Sequence, residues 1–177
     1  GDFRLFGFSD KVFGKEYVAL VKGIVKGKEN VLTRIHSACF TGDVLFSKKC
    51  DCHDQLVESI KLIQKNGGVL VYGLDQEGRG IGLLNKLRAY ELQEKGFDTV
   101  RANTALGFKA DQRNYAMSAQ VIRSLGIKSV RLISNNPQKI SEITSFGVKV
   151  TQRVPLKTPV NKFNKEYLKV KKTMFSH

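Results

Sequence analysis

Apolar and polar positions change their rhythm once along this chain, just after a cluster of cysteines. Before it, "EYVALVKGIV" (16–25) and "NVLTRI" (30–35) are rich in β-branched and apolar residues and are separated by a Gly-Lys turn. The first 35 residues therefore read as strands. After it, Leu56, Ile60 and Ile63 fall at i, i+4 and i+7. That spacing predicts a helix from about Asp54 to Asn66, stopped by Gly67 and Gly68. "GVLVYG" follows as a short buried strand. A glycine-rich loop then leads into a helix from about Gly82 to Lys95, with Leu83, Leu87 and Tyr90 on one face and Gly96 beyond its end.

The same pattern continues to the end of the body. Tyr115, Ala119 and Ile122 mark a helix closed by Gly126, and "SVRLIS" reads as a strand. Pro137 opens a helix carrying Ile140 and Ile143, Gly147 ends it, and "VKVTQRV" is the last strand. Four helix–glycine–strand units are thus expected, each glycine at a left-handed position past a helix end. The fold class is α/β: one domain, with an N-terminal β-rich part followed by alternating helix–strand units. It spans residues 1–156. From 157 to 177 the apolar pattern fades into a basic tail expected to be loosely held, with "EYLKVKKTMF" at best a short helix.

Charge sharpens the picture. Thirty Lys and Arg against sixteen Asp and Glu give a net charge of +14, and the tail accounts for six lysines against one glutamate. The remaining body is still basic and suits anionic partners: nucleic acid, an acidic surface or a phosphorylated ligand. No run approaches the length of a membrane span, and "GDFRLFGFSDK" lacks the layout of a signal peptide. Three cysteines without a framework spacing point to a reducing, cytoplasmic setting.

All three cysteines, Cys39, Cys50 and Cys52, lie in "RIHSACFTGDVLFSKKCDC" with the spacing C-x10-C-x-C. Buried cysteine packs as a small hydrophobe, so the spacing alone is compatible with a plain core role. His36 or His53 could complete a structural four-ligand metal site. Three ligands and an open position is instead the catalytic pattern. In "DQEGRGIGLLNK" (75–86), Gly78, Gly80 and Gly82 allow close backbone approach ahead of a helix N-terminus. There Glu77 could accept from two N–H donors of a planar base, and Arg79 suits phosphate. Asp111 and Arg113 precede a predicted helix, where Asp is ordinarily a cap. "SNNPQK" (134–139) lies beyond a strand's C-terminal end, where open α/β sheets bind ligands.

Taken together, "RIHSACFTGD…CDCHDQL", "QEGRGIGLLNKLRAYELQEKGFDTVRAN", "LGFKADQRNYA" and "RLISNNPQKI" resemble the GTP cyclohydrolase II family from about Gly1 to Pro155, with a weaker echo in "EYLKVKKTM". The resemblance implies hydrolytic opening of the GTP imidazole ring at C8 for riboflavin synthesis, with zinc, magnesium and a homodimer. It implies Cys39, Cys50 and Cys52 as zinc ligands. It implies substrate contacts at Arg34, Ile35, His36, Ser37, Ala38, Gln55, Glu77, Gly78, Arg79, Thr99, Ser134 and Lys139. Asp111 matches the family's proton acceptor, Arg113 its proposed nucleophile at the α-phosphorus, and Tyr90 a tyrosine of the ring-opening step. Guanidinium stays protonated, so electrostatic stabilisation of the phosphoryl group is the alternative role for Arg113.

The chain departs from the family pattern at Ala38 (usually Glu), His53 (Gly), Asp75 (Arg) and Ser134 (Thr). A divergent paralogue acting on GTP or another purine nucleotide is therefore a second reading. A zinc-stabilised nucleic-acid-binding protein is a third, though the chain lacks the interleaved aromatics such a protein uses.

Overall fold

Apolar strands that are buried on both faces need cover on both sides, and the sheet obtains it. The computed structural model describes residues 1–165, 167–169 and 171. Six strands lie in the order β1-β2-β4-β3-β5-β6. They are β1 (Arg4–Ser9), β2 (Glu16–Lys22), β3 (Val31–Ser37), β4 (Gly68–Gly73), β5 (Val130–Ile133) and β6 (Val150–Val154). β1 and β2 form an antiparallel edge, and β4, β3, β5 and β6 run parallel.

The helices are α1 (Cys52–Asn66), α2 (Leu83–Glu94), α3 (Thr99–Ala105), α4 (Ala116–Ser124) and α5 (Pro137–Ser145). α4 and α5 cover one face, where Ala119, Val121, Ile122 and Ile143 pack on Ala19, Ile35, Val71 and Leu132. α1 covers the other, bringing Ile63 onto Leu32, Leu70 and Ile133. From β3 the chain turns to β4 on one side, while β5 lies on the other. Ligands characteristically bind at such a reversal, outside the carboxyl ends of the strands.

β3 is the central strand, and six of its seven residues are buried, Arg34 and His36 among them. Burying two basic groups in a core strand is costly unless they are used. Both lie toward the carboxyl end, where the site is built.

Three expectations change. The helix–glycine–strand unit occurs three times, because Gly96 leads into α3 instead of a strand. Asp98 starts that helix, its carboxylate accepting from the amides of Val100 and Arg101 at 2.8 Å each. On α2 the inward residues are Lys86 and Ala89, while Leu84 and Leu87 are exposed. The apolar stripe there does not face the core because a buried ion pair claims the inner face. The described part of the tail is also anchored: Asn164 is fully buried, and Lys171 reaches Asp51 at 2.7 Å. Glu166, Val170 and the final six residues of that tail lie outside the described residues.

Candidate active site

The cysteines converge from three places: Cys39 just past β3, Cys50 in the following loop, and Cys52 at the start of α1. Their sulfurs lie within 4.8 Å of one another. Between them the chain makes a wide π-type turn over Phe40–Val44. Gly42 in that turn has no room for a side chain: a Cβ would lie 2.9 Å from Cys50 Sγ and 3.1 Å from Cys39 Sγ. Soft thiolates at this separation, folded around a glycine, fit a zinc ion. Neither His36 nor His53 belongs to the cluster. His36 Nε2 meets Asp43 at 3.0 Å, and His53 packs edge-on against Phe46.

Asp43 braces the turn from behind. One of its oxygens accepts from the Cys39 amide at 3.1 Å, from Tyr72 Oη at 2.8 Å and from His36. In front stands Lys86. Its ammonium donates to Cys39 Sγ at 3.1 Å and to Glu77 at 2.7 Å. The neighbouring thiols first, and the Lys86 charge after them, push the Cys39 thiol well below its usual range, while contacts within the cluster push Cys50 and Cys52 up.

Glu77, expected to read the base, is engaged by groups of the protein. One oxygen accepts from Lys86 and from the Gly78 amide at 3.1 Å, the other from the Phe40 amide at 2.5 Å. Through these bonds Glu77 ties the glycine loop to the cysteine turn. The loop spans Leu74–Gly80, with Gly78, Arg79 and Gly80 all at positive φ. At Gly80 the close approach is to protein, since a Cβ would sit 3.1 Å from the Gln112 carbonyl carbon. The Gln112 amide donates to Arg79 O at 3.0 Å, which fixes the loop against the segment carrying Asp111 and Arg113.

Arg113 and Asp111 form a bidentate pair. Arg113 Nε donates to Asp111 Oδ1 at 2.9 Å and Nη2 to Oδ2, while the Arg113 amide adds a bond of 3.0 Å. Burial opposes the charge on Asp111, but Arg113 outweighs it and holds the carboxyl below its usual range. A carboxylate so occupied is a weak base. Arg113 stays protonated: burial works against its charge, and Tyr115 and Asp111 more than offset it.

A second group of cations lies deeper. Arg34 donates to Ile133 O at 3.0 Å and to Gln55 at 2.5 Å. Lys139, buried on α5, donates to Ile35 O at 2.9 Å and lies 5.0 Å over the Tyr115 ring. Burial first, then Arg34, Arg113 and Lys171, push its ammonium well below the lysine range. Such a cluster is built to receive an anion.

These groups border one cleft of about 590 Å³, in the size range of small-molecule sites. It brings together Arg34, His36, Ser37, Ala38, Gln55, Glu77, Gly78, Arg79, Tyr90, Thr99, Arg113, Ser134, Lys139 and the three cysteines. Two expected site residues do not line it. The Ile35 side chain is in the core, and Asp111 stands behind Arg113. Tyr90, on α2, has Lys49 at 5.2 Å and Lys86 at 5.8 Å from its ring centre, and burial raises its phenol pKa. Ser134 Oγ accepts from the Asn136 amide at 3.0 Å, shaping the start of α5.

Sequence reasoning missed Lys86, Gln76, Tyr167 and Lys171, all of which border the cleft. Lys86 reads as a surface residue on an apolar-striped helix, and the last two fall in the apparent tail. Of the departures, Ala38 borders the cleft, whereas Asp75 pairs with Lys15 at 3.0 Å.

A family model described as GTP cyclohydrolase II matches residues 1–155. The riboflavin biosynthesis protein RibBA of Endomicrobium trichonymphae is 52% identical over 178 residues, covering 100% of this chain and 44% of its own length. RibBA of Bacillus subtilis is 50% identical, again over the whole chain and 45% of its own length. A GTP cyclohydrolase-2 of Shewanella baltica is 50% identical over 177 residues, with 100% of this chain and 87% of that protein covered. The chain thus spans less than half of the RibBA relatives and most of the shorter one. Among the described residues no helix is long and apolar enough to cross a membrane.

Proposed function

The chain belongs to the GTP cyclohydrolase II family, and on that premise we propose that it opens the imidazole ring of GTP at C8. C8 leaves as formate, pyrophosphate is released, and 2,5-diamino-6-ribosylamino-4(3H)-pyrimidinone 5′-phosphate remains, with one water consumed for each bond broken. The observation that carries this reading is a single cleft lined both by a three-thiol seat and by buried cations. A ring carbon and a triphosphate can be held there together.

Cys39, Cys50 and Cys52 would hold zinc, which supplies Lewis acidity and activates water near neutral pH. Lys86 offsets part of the thiolate charge through Cys39. Arg113, oriented by Asp111, faces the phosphates, with Arg34 and Lys139 behind; Mg2+ would accompany the triphosphate. Tyr90 is kept protonated by burial, so its Oη can donate to the opening ring. The family's homodimer and the cytoplasmic setting remain part of this proposal.

Incubating the protein with GTP, zinc and magnesium tests the reading. Formate and pyrophosphate release with the ultraviolet change of ring opening supports it, and GTP recovered intact refutes it. The divergent-paralogue reading rests on Ala38 and Ser134, the departures that border the cleft, since Asp75 is turned to Lys15. Asp75→Arg should accordingly leave kcat/KM for GTP within about two-fold, because the residue does not border the cleft. Ala38→Glu is the substitution expected to move it.

Lys86→Met should lower zinc affinity by about 10–100-fold, the usual effect of removing a group that supports a metal ligand. Competition with a chromophoric chelator measures it. Unchanged affinity would mean that Lys86 serves only Glu77.

A further inference from the structure

The matched family region ends at residue 155, yet the cleft does not. Leu156, Phe163, Tyr167 and Lys171 also border it. We propose that the described residues between Thr158 and Lys171 form a structural wall of the nucleotide cleft, and that Tyr167 and Lys171 are further substrate-positioning residues. The inference rests on the functional reading above for the identity of the nucleotide.

The segment has its own reasons to be ordered. Asn161 Oδ1 accepts from the Asn164 amide at 3.0 Å, and Asn164 Oδ1 accepts from the Asn161 amide at 2.8 Å. This reciprocal pair is the geometry of a capping box, with Asn in both places. Residues 165, 167–169 and 171 are helical, and the amides of Lys165 and Leu168 donate to Asn161 O and Asn164 O. Asn164 itself is fully buried and donates to Pro159 O at 3.2 Å.

What the segment touches gives it a role. Asp51 stands between Cys50 and Cys52, and its side chain is 3% exposed. A buried carboxylate there needs partners. Lys171 donates to one oxygen at 2.7 Å, and Thr158 Oγ1 to the other at 3.1 Å. That second oxygen also accepts from Gln55 at 2.6 Å, and Gln55 in turn accepts from Arg34. Lys171 is thus linked by Asp51 and Gln55 to a buried cation of the cleft floor. Tyr167 lies beneath it, with the ammonium 4.7 Å from the ring centre. Tyr167 borders the cleft, and an aromatic wall with a cation beside it suits a planar base or a ribose phosphate.

The test uses the full chain with zinc bound and magnesium present. The dissociation constant of a non-hydrolysable GTP analogue is measured for wild type, Lys171→Met, Lys171→Arg and Tyr167→Ala. Zinc content and kcat are followed in parallel. The six lysines from Lys157 on make trypsin a probe of the segment. The expected result is at least a 10-fold weaker dissociation constant, with a matching rise in KM, for Lys171→Met and Tyr167→Ala. Zinc content should hold, Lys171→Arg should recover part of the loss, and the analogue should slow tryptic cleavage of the wild-type segment. A wild type that binds the analogue while both variants bind it equally tightly, with cleavage unaffected, overturns this inference alone. A wild type with no affinity for the analogue overturns the functional reading and this inference with it.

Discussion

Turnover of GTP should fall by about 10²–10³-fold when Arg113 is replaced by alanine, the loss typical of removing one fixed charge from a developing oxyanion. The geometry argues for that role. Arg113 is held in a bidentate grip by Asp111, and its side chain is 16% exposed at the cleft wall. A guanidinium so paired is disfavoured as a nucleophile, because attack would require it to lose a proton that Asp111 stabilises. It is well placed to offset charge on a phosphoryl group. Arg113→Lys keeps the charge and loses the fork, so an electrostatic role retains part of the activity. A covalent role retains none and shows an α-phosphoryl adduct in the wild type by mass spectrometry.

Asp111 enters the same experiment. Its oxygens are engaged by Arg113, so Asp111→Asn should misorient the guanidinium and lower kcat less than Arg113→Ala does. An Asp111→Asn loss exceeding that of Arg113→Ala would instead return Asp111 to the proton acceptor implied by the family. Because removing either partner strands a buried charge, at a cost of about 3–5 kcal/mol, both variants need thermal unfolding measured beside kcat. A fall in kcat in variants whose melting transition is lowered but still lies above the assay temperature is the expected pattern.

The inner strands and helices α1, α4 and α5 were legible because each satisfies a periodicity that burial enforces. Leu56, Ile60 and Ile63 meet the sheet as their spacing requires. α3 escaped because "TVRANTA" has no apolar stripe, and its one clear signal is the Asp98 cap. α2 misled for a different reason. Its leucines suggest a core face, but the inward position went to Lys86, which is stabilised by partners far away in sequence, Cys39 and Glu77. Periodicity cannot report such a pairing. The same holds for Glu77, whose two oxygens are claimed by the Phe40 and Gly78 amides and by Lys86. The cysteines were legible as a metal seat by count and spacing; Gly42 was not, since its requirement appears only once the sulfurs surround it.

Gly42→Ala should deprive the chain of zinc nearly as completely as Cys52→Ser. The added methyl would lie 2.9 Å from Cys50 Sγ, 3.0 Å from Cys52 Cβ and 3.1 Å from Cys39 Sγ. The only side-chain ends there are the two sulfurs. The backbone is restrained too, since the Asp43 amide donates to Cys39 O at 2.7 Å and Asp43 holds the Cys39 amide in return. Relief must come from the thiols, which separate beyond the reach of one ion whose bonds to sulfur are about 2.3 Å. Loss of a ligand in Cys52→Ser acts on the donor set, whereas Gly42→Ala leaves all three donors and changes only their spacing. Elemental analysis after metal-replete purification should find one zinc per chain in the wild type and little in either variant. Cobalt substitution adds a geometric readout, because thiolate-to-cobalt absorption should be strong in the wild type and weak in Gly42→Ala. Full zinc occupancy and an unchanged cobalt spectrum in Gly42→Ala would show that the three sulfurs do not share one ion.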